Sequence, residues 1–320
     1  MFSLLLAALL PLAALLPVVQ GAVYGPMMDA NFPDPSVLQV DGRWYAFSTT
    51  SGGKNVPIAT SGDIHVGWAL TGSDALPKLG AWADGGVWAP DVTQLADGTF
   101  LMYYSAVYKE NKSVHCISAA TSTNIQGPYT PIDNVLACPV SSGGAIDPHV
   151  FTDVDGSLYL LWKVDGNNIG HGGNCNNGVE PIQSTPIMIQ RMSADGKSFY
   201  PGTGHTQILD RDANDGPLIE APSLVRTSEG IYVLFFSSNC YAGSLYDVAY
   251  ATATSIMGPY TKGPWLLKTA TPYSQLYSPG GADVTRGADH LLFHADKGTT
   301  VDTRQLYVAD ISISGKTVHI

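Results

Sequence analysis

Apolar-aromatic runs recur along this chain, each introduced by a polar turn. RWYAFST (43–49), FLMYYSA (100–106), SLYLLWK (157–163), IYVLFFS (231–237) and QLYVADI (305–311) alternate as half-buried strands do. The first four close a longer unit of strand, turn and strand: DPSVLQVDGRWYAFST (34–49), APDVTQLADGTFLMYYSA (89–106), DPHVFTDVDGSLYLLWKV (147–164) and APSLVRTSEGIYVLFFSS (221–238). A weaker fifth copy is GADVTRGADHLLFHAD (281–296). Asp-Gly, Glu-Gly or Ala-Asp between two strands is hairpin grammar. With Pro35, Pro90, Pro148, Pro222 and Ala282 as equivalent points, the copies are 55, 58, 74 and 60 residues apart. Such a period, with further strands between copies, predicts small sheets arranged radially: an all-β, five-bladed β-propeller.

A second repeat supports this register. ATSTNIQGPYT (120–130) and ATATSIMGPYT (251–261) each read as a late strand of a blade followed by a Gly-Pro turn. No helical periodicity of useful length, linker or second domain interrupts residues 22–320, which are expected to form one propeller. The Gly- and Asn-rich insertion DGNNIGHGGNCNNGVEPIQSTP (165–186) reads as a loop at the ring mouth.

Composition narrows the setting. Residues 1–21, MFSLLLAALLPLAALLPVVQG, are uncharged and Leu/Ala-rich and end in small residues, as a secretory signal peptide does. The expected protein is therefore secreted, and no other apolar run approaches the ~20 residues of a membrane span. Net charge is −11, and the 16 Lys and Arg residues form no run, which argues against nucleic acid and membrane partners. None of the four cysteines lies in a C-x-x-C pair, so disulfides are expected rather than zinc. Of the three possible connectivities, Cys116–Cys138 with Cys175–Cys240 is the expected one. Asn111-Lys112-Ser113 is a glycosylation sequon.

The candidate chemistry lies at the heads of the repeats, where Asp34, Asp147 and Glu220 occur in three different copies. Equivalent strand ends of a propeller converge on one mouth, so the three acids are expected to meet. Glycosidic hydrolysis requires a carboxylic acid to protonate the leaving oxygen and a second carboxylate as base or nucleophile. A third carboxylate nearby raises the acid's pKa, because like charges disfavour ionisation. Pro35 pushes Asp34 away from helical angles, and Asp147 shares the Asp-Pro context. Glu220 stands one residue earlier relative to its proline. Asp91, offset by two residues from Asp34, is expected to make structural hydrogen bonds.

Together NFPDPS, VWAPDV, AIDPHVF, IEAPSLV and LLFHA resemble glycoside hydrolase family 43, in order and over nearly the whole of residues 22–320. The resemblance implies a five-bladed propeller that hydrolyses α-L-arabinofuranosides or β-xylosides with inversion. It implies Asp34 as general base, Glu220 as general acid, and Asp147 as the residue that orients the acid and raises its pKa. Phe32 and Trp88 resemble aromatic walls of a sugar subsite. His294 resembles a histidine near the ring axis that binds a calcium ion or an ordered water; no cofactor is otherwise required. Arg304 is a candidate to neutralise the acid cluster, and His149 shares Asp147's alternation parity and so is a candidate to face the mouth.

An exo-acting, monomeric enzyme releasing arabinose from plant cell-wall polysaccharide (arabinan or arabinoxylan) is the expected activity, with β-xylosidase or endo-arabinanase as alternatives. A non-catalytic carbohydrate-binding propeller is the rival from another class, though no acid is missing. The signatures WMNDPNG of sucrose-cleaving propellers, G-x-S-x-G and H-E-x-x-H are all absent.

Overall fold

A computed structural model describes residues 22–299 and 303–320; the expected signal segment 1–21 lies outside the described residues. Five four-stranded antiparallel sheets follow one another around a ring. The first blade comprises Ser36–Val40, Arg43–Phe47, Pro57–Ser61 and Ala69–Asp74. The second comprises Trp88–Gln94, Phe100–Val107, His115–Ser122 and Thr130–Pro131. The third holds Ala145–Thr152, Leu158–Val164, Ile187–Arg191 and Thr206–Leu209, and the fourth Ile219–Arg226, Tyr232–Ser238, Ala249–Ala253 and Thr261–Lys262.

The fifth blade closes the circle. Gly280–Val284, His290–Asp296 and Arg304–Asp310 come from the end of the chain, and their outermost partner Val23–Tyr24 comes from its beginning. Residues 22–32 thus contribute the strand that joins the two ends of the ring, with Val23 opposite Ala309 and Tyr24 opposite Val308.

Apart from Arg43–Phe47 of the first blade, whose first three residues are exposed or half-buried, the second strands are buried on both faces, where their alternation suggested half-burial. In Phe100–Val107 the first seven residues are all buried. The alternation instead sends successive side chains to different neighbours. Leu160 packs between the second and third blades and Leu161 between the third and fourth. Five such apolar clusters, one per blade boundary, form the core. Both expected disulfides are formed: Cys116–Cys138 (Cα–Cα 4.7 Å) and Cys175–Cys240 (5.5 Å), the latter tying the 165–186 insertion to the fourth blade. Among the described residues no helix is long and apolar enough to cross a membrane.

Candidate active site

One residue at the head of each blade adopts a left-handed backbone: Asp34 (φ 50°), Ala89 (42°), Asp147 (55°), Ala221 (52°) and Gly281 (57°). Each directly precedes one of the five equivalent points of the repeat. The conformation costs a non-glycine residue about 1–2 kcal/mol, and Asp tolerates it better than most. It aims the two Asp carboxylates at the mouth; Glu220, one position earlier, reaches the same region with its longer side chain. The fifth copy looked weak for a physical reason. A Cβ at Gly281 would come within 2.7 Å of His294 Cε1 and 3.1 Å of Asp34 Oδ1. Glycine there leaves room for the histidine beside the acid.

Asp34 is held from three sides. Thr49 Oγ1 donates to its Oδ2 (2.7 Å), Arg304 Nη1 donates to its Oδ1 (3.1 Å), and its own N–H donates to His294 Nδ1 (3.1 Å). Burial alone would raise its pKa, but the Arg304 guanidinium and the Thr49 hydroxyl outweigh it and hold the carboxyl below its usual value. Asp34 is thus kept as a carboxylate able to accept a proton.

Asp147 has the opposite character. Burial and the neighbouring Glu220 push its pKa up to about 8, against the pull of Lys163 and of the Ala221 N–H that its Oδ2 accepts (2.9 Å). Glu220 is buried and doubly bound: Lys163 Nζ donates to Oε2 (2.9 Å) and the Tyr246 hydroxyl donates to Oε1 (2.8 Å). Lys163 is fully buried and also lies 3.2 Å from Asp165 Oδ1; these acids keep it cationic by outweighing burial. One carboxylate held ionised and another held protonated is the division of labour acid–base chemistry needs.

Arg304 therefore joins the acid cluster, as the sequence reading allowed. Trp88 remains partly exposed (39%) at the head of the second blade, stacked on His115 with ring centroids 3.6 Å apart. Phe32 does not line a subsite. Its side chain is fully buried between the fifth and first blades, with no face left for a sugar.

His149 does not face the mouth either. The left-handed Asp147 and the register break between Ile146 and His149 disrupt simple alternation and turn the imidazole to the ring axis. There it takes part in a relay in which a side chain from each of the second to fifth blades accepts a backbone N–H of the next blade round the ring. Val150 N–H donates to Asp91 (2.6 Å), Leu224 N–H to His149 Nε2 (2.9 Å), Val284 N–H to Ser223 Oγ (3.0 Å) and Val37 N–H to Asp283 Oδ2 (2.7 Å). Asp91 has the structural role expected of it.

His294 is fully buried, and burial and Arg304 lower its pKa to about 3, so the ring is neutral. Its Nε2 has no hydrogen-bond partner among the described residues. Calcium takes six to eight oxygen ligands. Here it would meet one imidazole nitrogen, and His294 belongs to no cluster of three ligating side chains among the described residues. An ion here would therefore draw its oxygen ligands mainly from water, with His294 Nε2 as its side-chain contact.

The sequence reading missed Lys163, Tyr246, Thr49 and His115. Lys163 was discoverable as the lone charge in the apolar run SLYLLWKV. Nothing in the local sequence marks Tyr246 or His115, which reach the mouth from third-strand regions of their blades.

Comparison with known proteins bears on the family and the fold. The chain is 25% identical to the extracellular endo-α-(1→5)-L-arabinanase 1 of Bacillus subtilis (strain 168), over 88% of this chain and 85% of that protein. It is 28% identical to that organism's extracellular endo-α-(1→5)-L-arabinanase 2, of which it spans only half. A β-xylosidase of Xylanibacter ruminicola is 26% identical, with 72% of each chain covered. Among solved structures, a thermostable family-43 glycoside hydrolase superposes with a TM-score of 0.75 at 23% identity, covering 95% of this chain and 94% of that one. The sequence profile of glycosyl hydrolases family 43 matches residues 24–315, and on that match the chain belongs to this family of glycosidases.

Proposed function

We propose that this protein is a secreted, inverting hydrolase of arabinose-containing plant polysaccharide, with α-1,5-linked arabinan as its main substrate and internal bonds as its targets. The observation that carries the mechanism is the opposed state of the carboxylates: Asp34 held ionised by Arg304 and Thr49, Asp147 held protonated beside Glu220. In this reading Asp34 takes a proton from water attacking the anomeric carbon. Glu220 delivers a proton to the leaving oxygen on the other face of the sugar. Asp147 holds its proton beside Glu220, and Lys163 and Tyr246 fix Glu220's orientation. Trp88, backed by His115, offers an apolar face to a sugar ring.

Relatives named as extracellular endo-arabinanases support the arabinan, endo and secreted elements of this reading. The Pro-Asp-Pro context at Asp34 belongs to a backbone turn repeated in all five blades and carries no information about the cleft's ends. Release of single arabinose units is the second reading. It is favoured by the 165–186 insertion, which Asn168 (to the Ser113 and Gly143 carbonyls), Asn177 (to the Pro217 carbonyl) and Cys175 pin at the mouth. Size separation of products from linear arabinan distinguishes the two: oligosaccharides as first products are expected, and arabinose alone would establish exo action. Proton NMR of the first product should reveal the inverted anomer; initial retention would refute the roles of Asp34 and water.

The pH dependence follows from Asp147. Its folded pKa, about 8, lies above its unfolded value near 4, so its contribution to stability is complete below about pH 4 and is lost as pH rises through about 8. Activity should fall on an alkaline limb near pH 8, as Asp147 loses its proton. Denaturant midpoints measured across pH 5–9 are expected to decline more steeply in the wild type than in Asp147→Asn; equal slopes would contradict the shift.

A further inference from the structure

The seam where the ring closes carries a second cluster of ligating side chains on the face opposite the mouth. His290 begins its strand and pairs with Asp310, whereas the mouth-side His294 of the same strand pairs with Gly280. His65, from the first blade, completes the group. Its Nε2 lies 2.7 Å from Asp310 Oδ1, and His290 Nε2 lies 3.4 Å from the same oxygen. All three ligand atoms fall within 4.8 Å of one another, and all three residues are half-buried.

We propose that His65, His290 and Asp310 bind a first-row transition-metal dication, zinc foremost, which staples the first blade to the fifth. Two imidazoles and one carboxylate suit zinc, with water as fourth ligand. Bonds of about 2.0 Å place tetrahedral ligands about 3.3 Å apart; His290 Nε2 already lies 3.4 Å from Asp310 Oδ1, the 2.7 Å His65–Asp310 contact would open, and the two imidazole nitrogens lie within 4.8 Å.

The surroundings are those of a ligand set. Each imidazole has a carboxylate near its other nitrogen: Asp289 Oδ1 lies 2.9 Å from His290 Nδ1, and Asp63 Oδ1 lies 3.6 Å from His65 Nδ1. A carboxylate at Nδ1 favours a proton there and so leaves the Nε2 lone pair for the metal. Tyr24, on the closing strand, donates to Asp310 Oδ2 (3.3 Å), and its ring packs on His65 with centroids 4.4 Å apart. That arrangement occupies one carboxylate oxygen and leaves Oδ1 toward the imidazoles. Three acidic side chains, Asp63, Asp289 and Asp310, surround the two imidazoles. A metal at His65 Nε2 replaces its present hydrogen bond to Asp310, and the ring proton then sits on Nδ1, on the side of Asp63.

The test is zinc titration of the untagged, chelator-treated full chain at neutral pH, followed by thermal melting. His65→Gln and His290→Gln serve as variants, since neither residue belongs to the active site. At saturating zinc the wild type should melt about 5 °C higher, and both variants should lose that shift while their zinc-free melting stays near wild type. No zinc-dependent shift in the wild type, or a shift retained in either variant, overturns the proposal. Should a variant fail to fold, cobalt(II) added to the wild type decides. Intense visible bands of four-coordinate cobalt support the site, and only the weak bands of hydrated cobalt refute it.

Discussion

Glu220→Gln is expected to lower turnover of arabinan by about 10²–10⁴-fold, the range supplied by a positioned general acid. Glutamine preserves the shape of the side chain and can still accept from the Tyr246 hydroxyl, but it has no proton to give the leaving oxygen. The deficit should depend on the leaving group. A nitrophenyl glycoside departs as a stable phenolate, so its hydrolysis should suffer much less than that of the polysaccharide. The variant should remain folded, because Lys163 keeps Asp165 at 3.2 Å as a counter-charge. A stability loss of about 1–3 kcal/mol is expected, because the amide NH2 that takes the place of Oε2 cannot accept from Lys163. Parallel assays on arabinan and the nitrophenyl glycoside, with circular dichroism as the control for folding, test this. Near-normal turnover of arabinan would remove Glu220 from the acid role.

Asp34→Asn should be at least as damaging, with a different signature. Asparagine cannot accept the proton of the attacking water, so the loss, again about 10²–10⁴-fold, should be the same for arabinan and for the nitrophenyl glycoside. KM should change little, since the isosteric side chain keeps the mouth's shape and the effect falls on the transition state. Azide, which attacks without losing a proton, should restore turnover in this variant and yield a glycosyl azide, but should not rescue Glu220→Gln on arabinan. Rescue of Glu220→Gln in place of Asp34→Asn would exchange the two roles.

Much of this was legible along the chain because propeller blades are local structures. A hairpin of adjacent strands needs only its own turn residues and side-chain alternation, so five copies of one pattern announced five sheets. The acids were legible for the same reason: Asp34 and Asp147 occupy one repeat position, and Glu220 stands one residue before it. Errors arose where a residue's environment came from another blade. Phe32 looked like a subsite wall until Leu306 and Val308 of the last blade were seen packing against it. His149 shared Asp147's parity, but a left-handed residue between strand segments breaks parity, and its partners Asp91 and Leu224 come from the blades on either side.

The repeat, written in local turn and strand chemistry, determined the blade count, the disposition of three carboxylates around one axis and the class of reaction. Only the closed ring decided their electrical states. Asp34 is ionised because Arg304, 270 residues away in sequence, reaches it, and Asp147 is protonated because Glu220 and the burial imposed by neighbouring blades disfavour its charge. The ring also decided that residues 22–32 supply the closing strand and that His65 meets His290 and Asp310. Pattern follows from bonds between neighbours in sequence; charge state and closure depend on distances across the ring, which no local stretch of sequence contains.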